Sequence, residues 1–231
     1  MGIIIDGFKE AFALLVTMDK EVVGVTIRTI HVCGASTLIS VFLGIPAGTA
    51  LALNRFFGRG FLVTLVNFGM GLPPVVVGLA TWLCFTRYGP LGMLDLLYTP
   101  TAMIVAQTVI AFPIVAGLTL AAVLSIKPKL RLLMLVLGAT RVQYLLLLLW
   151  EARLGILAAV IAGFGGVISE VGASMMVGGN VRGYTRVLTT ATVMEVSKGK
   201  FELAVALSII LLLLNFFIVS VMSHLQQKAR R

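Results

Sequence analysis

Five stretches of this sequence run with no charged side chain, or with only one, for longer than the about 20 apolar residues a helix needs to cross a bilayer. They are residues 29–54, 60–86, 96–126, 154–181 and 203–227, and Glu170 is the only interruption, in the fourth. Hydrocarbon offers no hydrogen bonds to the backbone, so segments of this length cross as helices. Composition agrees: of 231 residues, 59% are hydrophobic and 12% charged, against about 25% charged in a soluble domain. A soluble enzyme, a disordered tail and a secreted disulfide scaffold are thereby excluded, since two cysteines cannot build a disulfide framework. The chain reads as one all-α integral membrane domain with no internal repeat.

The spans are expected near 24–52, 61–85, 101–125, 154–177 and 203–225. Residues 2–18 mix apolar side chains at near-helical spacing with Asp6, Lys9 and Glu10 and predict a surface helix on the outer side. Pro73-Pro74 removes two backbone donors and predicts a kink or break in the second span. Pro113 is a candidate bend in the third, and residues 187–195 a short outer helix. A sixth Leu-rich stretch, 130–152, is cut by Arg131, Arg141, Glu151 and Arg153 into runs too short to cross. It reads as an amphipathic helix left at the interface, inside a region spanning 127–153.

Five crossings put the basic clusters at Arg55–Arg59, Lys127–Arg131 and Lys228–Arg231 on one side. Short loops rich in Lys and Arg stay cytoplasmic, so the N-terminus is expected outside and the C-terminus in the cytoplasm. The net charge of +9 then belongs to topology, and no nucleic-acid partner is expected; membrane lipid is.

Chemistry of its own is sparse. No G-x-x-x-x-G-K-[ST] phosphate loop occurs. His31 and His224 lie far apart without metal-ligand company, and Cys33 and Cys84 fall at membrane depth as small packing residues. No catalytic set, metal site or cofactor is expected.

The amphipathic stretch between two spans on the basic side is either a cap on the bundle or a handle for a cytoplasmic partner. Here the sequence resembles the membrane subunits of ATP-binding-cassette importers. Leu137-Gly138-Ala139-Thr140 matches the glycine of their inner loop, and Gly155-Ile156-Leu157-Ala158 the start of the following span. Leu132, Leu133 and Met134 stand where those subunits carry Glu-Ala-Ala, so the acidic part is missing. Ile168-Ser169-Glu170-Val171-Gly172-Ala173 resembles a segment of molybdate and sulfate importers, and the run 162–190 is similar to the tungstate-type branch.

The resemblance implies a type I permease fold with five transmembrane helices, a surface helix and a cytoplasmic coupling helix. It implies a homodimer, a separate pair of ABC ATPases that bind the ATP, and an extracytoplasmic oxyanion-binding protein. Coupling would fall to Leu132, Leu133, Met134, Gly138, Ala139, Thr140 and Arg141. Gln107, Ser169, Glu170, Gly172, Ser174 and Met175 are candidates for the path or gate, each also readable as glue between helices. Glu170 is the only acid at membrane depth, and a bare carboxylate would repel a dianion. It is expected to be structural, held by Arg, hydroxyl or backbone donors near the outer end. Arg182 and Arg186 are either outer attractors of an oxyanion or of the binding protein's acidic rim, or solvated loop charges. A stand-alone channel or secondary transporter would need several intramembrane ionisable groups or inverted repeats, which this sequence lacks.

Overall fold

The computed structural model describes residues 2–228; the tail arginines Arg230 and Arg231 lie outside it. It is all-helical among those residues. The order is α1 (Gly2–Val16), α2 (Lys20–Leu53), α3 (Arg59–Met70), α4 (Pro74–Phe85), a short 3-10 turn (Gly92–Leu94), α5 (Pro100–Leu124), α6 (Pro128–Val136), α7 (Arg141–Glu151), α8 (Arg153–Ile168), α9 (Gly172–Gly178), α10 (Leu188–Ser197) and α11 (Phe201–Lys228). Helices α2, α5 and α11 are each long and apolar enough to cross a bilayer; α3 with α4 and α7 with α8 reach that length only as pairs, bent by 104° and 65°.

The longest helix, α2, is closed at both ends by its own sequence. Asp19 caps α2, its carboxylate accepting N–H bonds from Glu21 (2.9 Å) and Val22 (3.0 Å). At the far end Asn54 and Arg59 side chains donate to the carbonyls of Ala50 (3.0 Å) and Leu51 (2.7 Å), where a cation also meets the negative end of the helix dipole. Within α2 the hydroxyls of Thr26, Thr29, Thr37 and Thr49 donate to the carbonyl four residues back, which satisfies them inside an apolar span. Pro113 sits inside α5 without interrupting it. Pro73 and Pro74 do break their span: Pro74 opens α4 at a position whose N–H has no partner anyway.

Helix α5 is the axis of the bundle, and α2 lies closest to it. A Cβ on Gly48 would stand 2.3 Å from the Ala116 carbonyl oxygen, so glycine is what allows the two backbones to meet. Gly48→Ala is therefore expected to cost about 1–3 kcal/mol through overpacking, read as a lower unfolding temperature in detergent. Gly34→Ala on the same helix is the control, because nothing lies within 4 Å of a Cβ there, and an equal effect of the two would contradict the packing account. An outer core of Val32, Val77, Met103, Ala106, Ala173 and Val177 joins α2, α4, α5 and α9. An inner core of Leu51, Leu120, Val123, Met134 and Leu148 fastens α6 and α7 to the ends of α2 and α5.

Two stretches expected as single helices are divided. Residues 154–177 break at Ser169–Val171 between α8 and α9, and 130–152 break at Leu137–Thr140 between α6 and α7. The short helix expected at 187–195 is α10.

Candidate translocation core and coupling hairpin

The break between α8 and α9 holds the buried acid. Glu170 is 6% exposed, and its two carboxylate oxygens accept N–H bonds from Ala173 (3.0 Å) and Ser174 (3.2 Å) at the start of α9. The first N–H groups of a helix lack partners within it, and a carboxylate there also meets the positive end of the dipole. Its carbonyl accepts the Thr189 hydroxyl (3.1 Å), which ties the break to α10. No lysine or arginine pairs with Glu170 among the described residues.

From Ser174 a polar chain crosses the bundle. The Gln107 amide nitrogen on α5 donates to the Ser174 hydroxyl (3.1 Å), and the Gln107 oxygen accepts from the Ser36 hydroxyl on α2 (3.2 Å). All three are at most 1% exposed. Three helices are thereby locked in register by satisfied groups, which is what a polar cluster in an apolar bundle must be to persist. Of the residues singled out from the sequence, Gln107, Glu170 and Ser174 meet here. Gly172 packs against Val75 of α4, and Met175 is half-buried beside it on α9. Ser169 is exposed and donates back to Gly165 (2.8 Å), away from the cluster. Ser36 was not foreseen; nothing in a single sequence pairs it with Gln107, 71 positions away.

At the end of the bundle where α2 begins, the segment 181–188 is strapped to α2. Arg182 is paired through both its Nε and a terminal nitrogen with the Glu21 carboxylate, and Arg186 donates to the same group (3.1 Å). Arg28 holds the carbonyls of Gly183 and Arg186 (both 3.1 Å), and Thr29 accepts the Leu188 N–H (2.9 Å). The bond from Glu21 raises the Arg182 pKa above its ordinary value. These contacts border a cleft of about 350 Å³ that also holds Asp19, Glu195 and Lys198. The two arginines share one carboxylate, Arg186 largely buried against it and Arg182 mostly exposed. Glu21→Gln should loosen the strap and raise tryptic cleavage after Arg182 two- to fivefold, in keeping with about 0.2–1 kcal/mol for a pair in water. Cleavage unchanged by the substitution would show that Glu21 does not hold the segment.

At the opposite end, where α2 and α5 finish, α6 and α7 form a hairpin. Gly138 has φ +77°, and the Ala139 N–H reaches back to the Met134 carbonyl (3.2 Å), the usual way a glycine ends a helix. Thr140 and Gln143 then cap α7 reciprocally. Arg131 donates to the Val123 carbonyl at the end of α5, and Met134 is buried in the inner core. Leu132 and Leu133 point the other way with Val136 and Leu137, all more than half exposed, next to exposed Gly138, Thr140 and Arg141. Ala139 is half-buried. The hairpin is anchored along one edge and presents an apolar edge along the other.

The bundle is thus broken at its centre and carries an anchored two-helix hairpin at one end. The family model for the binding-protein-dependent transport system inner membrane component matches residues 40–231, and this chain belongs to that family. It is 36% identical over 228 residues to the tungstate uptake system permease protein TupB of Peptoclostridium acidaminophilum, covering 99% of this chain and 100% of that one. It is 41% identical over 197 residues to a probable anion ABC transporter permease of Haloferax volcanii, covering 83% and 85%. Among solved structures, the methionine ABC transporter MetNI in an inward-facing form aligns with a TM-score of 0.74 at 23% identity over 93% of this chain and 99% of that one. A bacterial alginate ABC transporter aligns with a TM-score of 0.78 at 20% identity over 96% and 85%. The chain therefore has the fold of an ABC importer permease and is a multi-pass inner-membrane protein.

Proposed function

We propose that this chain is the membrane-spanning subunit of an importer that takes up tungstate, working as a homodimer with a cytoplasmic pair of ABC ATPases and an extracytoplasmic protein that captures the anion. The observation that carries the coupling is the α6–α7 hairpin: an anchored lever with an unpartnered apolar edge, on the side of the basic clusters. A partner that closes on ATP and grips this edge moves the inner ends of α2 and α5 with it, and rigid-body motion of packed helices is an established route for such switching. ATP binding and hydrolysis belong to the partner, because the chain has no phosphate loop. Tungstate is supported by the relatives of that name in two organisms, aligned over most of this chain. Molybdate is the second reading, supported by molybdenum permease relatives at lower identity; sulfate stands behind it. Five crossings, with 127–153 and the C-terminus in the cytoplasm, complete the arrangement.

Purification of the tagged chain from its own membranes tests this. It should bring down a P-loop ATPase whose turnover in proteoliposomes rises on adding the capture protein loaded with tungstate. Purification alone, in a form that conducts or exchanges anions without ATP, would favour a stand-alone transporter.

A further inference from the structure

Helix α3 has three faces. Val63, Val66 and Met70 pack on α5. Phe61, Leu65 and Phe68, spaced by four and three, are exposed and apolar, as a lipid face should be. The third face carries Gly60, Thr64, Asn67 and Gly71, again spaced by four, three and four, and Thr64, Asn67 and Gly71 are exposed as well. Thr64 satisfies itself by donating to the Gly60 carbonyl (3.0 Å). Asn67 has no hydrogen-bond partner among the described residues.

Gly69 abuts Pro113, midway along α5, and Met70 abuts Gly117. The break between α3 and α4 is therefore at the centre of the bundle, and Gly71 and Pro73 in it are exposed. Pro74 has no N–H to offer the Met70 carbonyl four residues back. Unpaired backbone and a lone amide do not face lipid at such depth; they are tolerated where water or protein covers them.

We propose that the Thr64–Asn67–Gly71 face of α3 is the wetted wall of the translocation path, and that the Asn67 amide is a neutral donor along which the oxyanion passes. A neutral donor solvates a dianion without trapping it as a guanidinium would. This rests on the import reading above but assigns residues that reading leaves open.

Cysteine accessibility tests it in the assembled complex, in a Cys33→Ala, Cys84→Ala background. Only a thiolate reacts with a charged thiosulfonate, and thiolates form in water, not in lipid. Asn67→Cys and Thr64→Cys should be modified at least tenfold faster than Leu65→Cys and Phe61→Cys; equal rates would overturn the proposal. Loaded capture protein should then slow modification at Asn67→Cys. If tungstate fails to slow it while molybdate or sulfate does, the wall stands and the tungstate reading falls. Asn67→Leu in the natural chain is the second readout. Normal assembly with uptake reduced at least tenfold supports the proposal, and normal uptake overturns it.

Discussion

Replacing Glu170 by glutamine is expected to lower the yield of assembled permease about tenfold and to leave the order of preference among oxyanions unchanged. The carboxylate satisfies two buried N–H groups at once, those of Ala173 and Ser174. A glutamine supplies one carbonyl and turns an amide N–H toward the other, leaving a buried donor unmet at about 1–3 kcal/mol. That is roughly a five- to 160-fold shift between the native arrangement and one with α9 released. The effect should spread through Ser174 to Gln107 and Ser36, because α9 carries one end of that chain. Ser169→Ala, one residue away but exposed and bonded only within α8, should assemble normally. A Glu170→Gln variant that assembled and transported like the parent would remove Glu170 from the account; one that assembled normally but changed its choice of anion would make Glu170 part of the path.

The second large effect is expected at Gly138. Its φ of +77° lies where L side chains are strained, yet nothing stands within 4 Å of a Cβ there. Substitution thus acts on the backbone alone, at about 1–2 kcal/mol, and more for a β-branched side chain. Gly138→Val should turn α6 away from its angle to α7 while the inner core keeps both helices attached. Uptake should fall at least tenfold with normal levels of protein in the membrane, and the ATPase should co-purify poorly. Gly138→Asn, a residue that visits the left-handed region, should restore most of the uptake. If Val and Asn behaved alike, the turn geometry would not be what couples the hairpin to its partner.

What the sequence could disclose follows the range of the interactions involved. Pro73-Pro74 acts on its own backbone, and the break was legible in two letters. The turn at Gly138 was legible only through the resemblance, which sets a loop glycine there, while the residues alone read as one helix over 130–152. The division at Ser169–Val171 was not. No proline marks it, the surrounding residues are as apolar as any span, and it is stabilised by a carboxylate that finds N–H groups three and four residues on. The partners of Arg182 and Arg186 were hidden too, since Glu21 is 161 and 165 positions away. Helix pairing decides such contacts, and a single apolar sequence does not encode which helices touch in a form periodicity can read. The same holds for the third face of α3: its spacing is visible in the letters, but its exposure beside a central break is not.

Coupling through the α6–α7 hairpin requires it to lie on the cytoplasmic side of the membrane. Thr140 in its turn and Tyr184 on the outer strap are both exposed, so single cysteines at these positions, in a chain freed of Cys33 and Cys84, report the two sides. In intact cells an impermeant maleimide should label Tyr184→Cys, and should reach Thr140→Cys only after the cytoplasm is opened. Labelling of Thr140→Cys from outside, or protection of both positions until lysis, would contradict the placement on which the coupling rests.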